Sequence, residues 1–183
     1  MGGDQNKRAK RAKKSANAVN ITTVKNLDKS LKIARAGFIL YTVYNGRLYI
    51  GFGVDAKNHE LTDFAGHVIY KIGESVIIGA LRELKEETLE IFSPITSKDI
   101  ENCLTIYDNN NLVIFMHIDI NPDVVSQEFN EKYQLSVGSR PEVCAITWLT
   151  LQEFDDAVKN DNGILYQRVQ KFLKSAGNIT QLL

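Results

Sequence analysis

The stretch Gly66–Leu89, GHVIYKIGESVIIGALRELKEETL, constrains the fold more than any other part of the chain. Suppose a helix runs from about Ser75 to Leu89, turning about 100° per residue. Ile77, Ala80, Leu81, Leu84 and Thr88 then form an apolar stripe suited to a core. Glu83, Glu86 and Glu87 fall in an arc of about 100° beside it. Three carboxylates on one helix flank repel one another, and the helix gains nothing from the crowding. One resolution is a solvated face on which Arg82 pairs with Glu86 one turn on. The other is a hard divalent cation, because Mg2+ prefers carboxylate oxygens.

The wider pattern favours the cation. Gly66 comes first, Glu74 follows after seven residues, and after seven more comes Arg82-Glu83-Leu84-Lys85-Glu86-Glu87. This resembles the signature of the Nudix hydrolases: a glycine, a spaced Glu, then Arg-Glu-apolar-x-Glu-Glu-x-Gly-apolar. Asp63-Phe64-Ala65-Gly66 also resembles the Asp-Phe-Gly-Gly lead-in of many members. Two positions depart from the pattern. The family has five residues between glycine and first Glu, so the loop here is longer by two. Leu89 stands at the family's closing glycine and Glu90 at the apolar position after it; glycine eases a left-handed turn, so this helix must end differently or run on.

At 183 residues one domain is expected, with enough chain for a sizeable core. No apolar run approaches the roughly 18 residues of a membrane span, so no membrane partner is expected. Cys103 and Cys144 are the only cysteines, which argues against a disulfide framework and for an intracellular protein, cytoplasmic or nuclear. The formal charge is zero but uneven: Lys7, Arg8, Lys10, Arg11, Lys13 and Lys14 face only Asp4 near the start. An acidic body (residues 17–183) thus carries a basic arm (residues 1–16) that is expected to be disordered. Such an arm can track RNA phosphates, serve as a nuclear import signal, or only aid solubility.

Along the chain, Ile21–Val24 suggests a short strand. Gly37–Tyr44 and Arg47–Phe52 read as a hairpin about Asn45-Gly46, the strongest short turn signal. His67–Tyr70 suggests a strand leading into the acidic helix, and Ser93–Ile100 a loop. Cys103–Tyr107 and Leu112–Ile120 read as a second hairpin, whose almost wholly apolar later strand is expected to be covered on both faces. Asn121–Arg140 reads as an insertion with a partial helix. A strand at Glu142–Leu149 and helices at Leu151–Lys159 and Gly163–Ala176 follow. The fold class expected from this order is an α/β/α sandwich around a mixed β-sheet, which the Nudix resemblance also implies.

The resemblance further implies hydrolysis of a diphosphate joining a nucleoside to another group, with Mg2+ or Mn2+. Glu83, Glu86 and Glu87 would be the metal ligands, Glu74 would complete or support their shell, and Arg82 would orient them. The general base is open between Glu87 and Glu142, and Glu142 reads equally well as a charge at a strand edge. For substrate contacts the candidates are Gly66, His67, Lys71 in the lengthened loop, and a base-stacking aromatic among Phe64, Tyr70 and Phe52. Against these stand a structural role for His67, plain exposure for Lys71 and core positions for the aromatics. His117, in an apolar strand, is expected to be a core histidine. The substrate is expected to be a nucleotide-type diphosphate, with the 5′ cap of RNA suggested by the arm. Free nucleoside diphosphate derivatives, dinucleotide polyphosphates and a non-catalytic binding module are the alternatives.

Overall fold

The structure is a computed structural model that describes residues 18–92, 94–136, 138, 141–160 and 163–183. The expected basic arm lies outside the described residues.

Asn45 and Gly46 both take positive φ (50° and 72°), as a two-residue turn that follows the natural strand twist requires. They join β2 (Arg35–Tyr44) to β3 (Arg47–Asp55) with Tyr44 opposite Arg47. The other edge of β2 pairs in parallel with β7 (Asn111–His117), which in turn pairs with β6 (Leu104–Tyr107). β1 (Asn20–Thr23) closes that side against β6. On the other side β3 pairs with β4 (Leu61–Thr62) and β8 (Val143–Thr150), while β5 (Phe64–His67) lies antiparallel to the start of β2. One parallel pair among antiparallel ones makes the sheet mixed.

Alternation sorts the core into two layers. Ala36, Phe38 and Leu40 of β2 and Leu112, Ile114 and Met116 of β7 pack against Val76, Ala80 and Leu84 of α1 (Val76–Glu87) and Val125 and Phe129 of α2 (Pro122–Leu135). Ile39, Val113 and Phe115 face the opposite way, onto Phe154 and Ala157 of α3 (Leu151–Lys159) and Val169, Phe172 and Leu173 of α4 (Gln167–Ala176). The α/β/α sandwich expected from the element order is therefore present. β7, covered on both faces, is as apolar as that position demands.

Several local expectations are corrected. The strand before the acidic helix is Phe64–His67, not His67–Tyr70. Past His67 the chain turns, with Ile72 N–H on Ile69 O (3.1 Å) and Gly73 N–H on Tyr70 O (3.0 Å), so the lengthened loop holds a short 3-10 turn at Tyr70–Ile72. The Asn121–Arg140 region contains a full helix of 14 residues. Its start was legible in Asn121-Pro122-Asp123, since the Asn121 side chain accepts from Asp123 N–H (3.0 Å) and Pro122 sits in the first turn. The last helix begins at Gln167 rather than Gly163. Residues before it run extended, where Leu61 N–H donates to Ile164 O and Tyr166 N–H to Leu61 O, both at 2.8 Å.

Helix α1 begins at the Ser75 cap, whose Oγ accepts from Ile78 N–H (3.3 Å), and buries Val76, Gly79, Ala80, Leu84 and Glu87. The buried stripe is thus rotated from the expected one toward the acids, and Ile77 and Leu81 are only half-buried. The helix ends as glycine-capped helices do, without the glycine. Leu89 N–H reaches Glu86 O (3.3 Å) and Glu90 N–H reaches Lys85 O (3.0 Å), the bonding pattern of a Schellman cap. Leu89 and Glu90 both adopt left-handed backbone (φ 54° and 57°). Lys132 of α2 donates to both their carbonyls (3.3 and 3.2 Å), which holds the turn against α2.

The left-handed conformation costs a non-glycine residue about 1–2 kcal/mol. The Glu90 side chain is exposed and, among the described residues, makes an exposed pair with Lys85 alone, so Glu90→Gly should relieve more than it loses. Thermal denaturation should show its midpoint raised by about 2 °C, given about 2–4 °C per kcal/mol at this chain length.

Candidate active site

Arg82 organises the acids. Its Nε donates to Glu74 Oε1 (2.9 Å) and its Nη2 to Glu74 Oε2 (3.2 Å) and to His67 O (2.8 Å). Its Nη1 donates to Glu83 Oε1 (2.7 Å) and Glu86 Oε2 (3.0 Å). One guanidinium therefore ties the end of β5, the loop and two turns of α1 together, using the planar fork that lysine lacks. Glu74, held chiefly by Arg82 and also by Ile69 N–H (2.7 Å), has its carboxyl pushed below the usual range despite burial. It acts as a strut between the loop and the helix.

Glu83 lies directly against Gly66. A Cβ on Gly66 would overlap the Glu83 carboxylate, so this position admits no side chain while Glu83 stays where it is. Burial pushes the Glu83 carboxyl up; Arg82 opposes that shift, while Glu86 and Glu142 add to it. Glu87, one turn on, is only 8% exposed, and its Oε2 is buried with no hydrogen-bond partner among the described residues. Burial first, then the charges of Asp63, Glu83 and Glu142, push its carboxyl up to about 9, against the pull of Arg35. Arg35 itself is committed elsewhere: Nη1 and Nη2 both donate to the buried Asp63 at 2.7 Å. Desolvation lowers the pKa of that guanidinium, but Asp63, with Glu87 and Glu83, outweighs it and the net shift is upward.

Arg35 and Glu87 line a polar cleft of about 250 Å³, together with Gly66, His67, Glu142, Tyr166 and Arg168. A larger, mainly apolar cleft of about 620 Å³ runs along the other flank of α1, lined by Ile78, Leu81, Phe92 and Ile95. Glu87 and Glu142 line the smaller cleft and not this one, whose lining also includes Arg82.

Among the described residues no three His, Cys, Asp or Glu side chains converge closely enough to hold an ion as they stand. Glu83 and Glu86 are turned onto Arg82. The donor chemistry nevertheless suits a hard cation: an unpartnered buried carboxylate oxygen on Glu87, Glu83 cradled at Gly66, and mutual repulsion shared with Glu142.

Of the residues singled out in the sequence, Glu74, Arg82, Glu83 and Glu86 are joined in one network, and Glu87, Glu142, Gly66 and His67 border the adjoining cleft. His67 is exposed there, not packed as a structural histidine. Lys71 is exposed on the 3-10 turn and is not among the residues lining the cleft. The stacking candidates are corrected. Phe64 and Phe52 are fully buried, the latter stacked on Phe154 (6.1 Å), and cannot meet a base. The Tyr70 hydroxyl accepts from Ile33 N–H and donates to Ile33 O, which pins the loop. His117, the last residue of β7, is exposed beside Tyr41 (5.3 Å) rather than in the core. Arg35, Tyr166 and Arg168 carry no local motif. Only the pairing of β2 with β5 and the bridge between Leu61 and Leu165 bring them here.

No protein-family model matches the chain, and no curated protein matches it. Solved structures resemble it. An Ap4A hydrolase of C. elegans, in a binary complex, aligns at 22% identity and a TM-score of 0.48, over 83% of this chain and all of that one. The NUDIX domain of Shewanella oneidensis NrtR with ADP ribose aligns at 14% identity and 0.46, over 86% and 95%. A NUDIX-family hydrolase from Clostridium perfringens aligns at 14% and 0.41, over 86% and 100%.

In the unfolded chain Glu87 ionises near its ordinary value of 4.5, while in the folded chain it keeps its proton up to about 9. Over that interval the folded state binds more protons, so Glu87's contribution is fully present below about 4.5 and is lost as pH rises toward 9. Glu87→Gln removes this titration. Denaturant unfolding should find the variant equal to the parent at pH 4 and more stable by about 1–3 kcal/mol at pH 8. Added Mg2+ should stabilise the parent and leave the variant nearly unchanged.

Proposed function

We propose that this chain is a divalent-metal-dependent pyrophosphohydrolase of the Nudix type that cleaves a nucleotide-type diphosphate. The observation that carries this is Glu87, a cleft-lining carboxyl with a buried, unpartnered oxygen, pressed by the charges of Glu83 and Glu142. A fold gains nothing from leaving such a group unsatisfied, at a cost of about 1–3 kcal/mol. A reaction that needs concentrated negative charge beside a phosphate bridge accounts for it.

In this reading Glu83, Glu86 and Glu87 hold Mg2+ or Mn2+. When bound, the cation screens the phosphoryl oxygens and lowers the pKa of a coordinated water. Arg82 presents Glu83 and Glu86 in a set orientation, and Glu74 holds Arg82 in place against His67 O. Gly66 leaves the Glu83 carboxylate the space it occupies. In the same reading Glu142, which lines the cleft just before β8, takes the proton of the attacking water at its carboxylate. The exposed imidazole of His67 can donate to a phosphoryl oxygen. Positioning and charge supply most of what phosphoryl transfer requires.

Hydrolysis of a panel of capped RNA, nucleotide sugars and dinucleotide polyphosphates with Mg2+ or Mn2+ tests the reaction. Glu86→Gln and Glu87→Gln should lower the rate by more than about 100-fold, beyond what losing an outer-shell partner costs. A folded variant that keeps full turnover would rule out this assignment and leave a binding module. The finer reading, capped RNA, is supported by the six basic residues within Lys7–Lys14. It predicts that removing residues 1–14 flattens the log–log salt dependence of RNA affinity by about 4, at roughly 0.7 per phosphate neutralised on a single strand. Unchanged salt dependence would favour free nucleotides as the substrate.

A further inference from the structure

The lining of the cleft carries several acids, and among the described residues Arg168 is its guanidinium without an ion pair. Asp55, Glu87 and Glu142 line it, while both terminal nitrogens of Arg35 are taken by Asp63. Arg168 is different. Among the described residues its guanidinium forms no ion pair, and it sits over the Tyr166 ring, 5.7 Å from the centroid. That placement pre-orders the fork without using its in-plane donors.

Its footing is firm. Tyr166 N–H bonds Leu61 O, Leu61 N–H bonds Ile164 O, and Leu165 between them is 2% exposed, so the segment is fastened to β4. Tyr166 is also the N-cap of α4, a helix of 10 residues with no side-chain cap and no acid in its first turn. Its first N–H groups therefore lack intrahelical acceptors, and the helix dipole favours an anion near them. Glu87, whose Oε2 is buried and has no hydrogen-bond partner among the described residues, lines the same cleft as Arg168.

We propose that Arg168, seated on Tyr166 at the start of α4, binds a phosphate of the substrate beyond the diphosphate held at the acidic residues. This deepens the pyrophosphohydrolase reading and rests on it. The chemistry selects substrates with three or more consecutive phosphates, as in a nucleoside triphosphate, a dinucleoside polyphosphate or a triphosphate-bridged RNA end, over a nucleotide sugar with two. Arginine suits the role because its fork meets two phosphate oxygens at once, whereas lysine offers a point charge.

The test uses the full chain with Arg168→Ala and Arg168→Lys, both at an exposed position. The first measurement is hydrolysis of diphosphate-, triphosphate- and tetraphosphate-bridged nucleosides with Mn2+. In Arg168→Ala the KM for the longer bridges should rise about tenfold or more with kcat little changed, so the preference for them over the diphosphate collapses. Arg168→Lys should recover part of that preference. The second measurement is calorimetric binding of a methylene-bridged nucleoside triphosphate, which needs no turnover. Its affinity should fall about tenfold in Arg168→Ala. An equal loss for all bridge lengths, or unchanged affinity for the analogue, overturns the assignment of Arg168. If the parent hydrolyses none of the substrates, the reaction proposed above is wrong, and the calorimetric arm alone decides on Arg168.

Discussion

One guanidinium holds the acidic end of this molecule together. Arg82 takes Glu74 from the loop, Glu83 and Glu86 from its own helix, and the carbonyl of His67 from the neighbouring strand. Glu83 and Glu86 would otherwise repel each other across one face of α1. With Arg82 between them they are aimed instead, and the aim is shared with the strand that carries Gly66. A lysine could not make these contacts, because its single ammonium lacks the planar fork.

Glu87 is the acid that this arrangement leaves out. It lines the cleft within reach of the charges of Arg35 and Asp63, and its buried oxygen finds no donor among the described residues. The fold carries that cost in place of a glutamine or a leucine, either of which would fill the space with less penalty. Local departures from the most stable choice tend to gather where a protein works. The same helix shows a second departure at its far end. There two left-handed non-glycine residues complete a Schellman cap with the help of Lys132.

Much of the fold was legible because its signals are local. Asn45-Gly46 between β-rich runs admits few turns other than a tight hairpin, and the unbroken apolar run at 112–116 suits only a strand covered on both faces. The misplaced elements are those whose limits depend on distant partners. β5 begins at Phe64 because residues 64–67 find the start of β2 to pair with. α4 begins late because residues before it are held extended against Leu61. α2 is the exception: its asparagine cap and proline were available in the sequence and outweigh a polar, weakly amphipathic composition.

The site divides in the same way. The sequence by itself determined that Glu74, Arg82, Glu83, Glu86 and Glu87 share one helix and the loop before it, since helical periodicity places residues one turn apart side by side whatever surrounds them. Only the tertiary structure decided which acids would be buried, because depth depends on how far α1 rolls against the sheet. That roll puts Glu87 inside and leaves Glu86 at 57% exposure. It decided too that Phe64 belongs to the core, and that Arg35, Tyr166 and Arg168 reach one cleft from positions more than 100 residues apart. Those meetings arise from strand pairing and layer packing across the whole chain, and no short window of residues carries them.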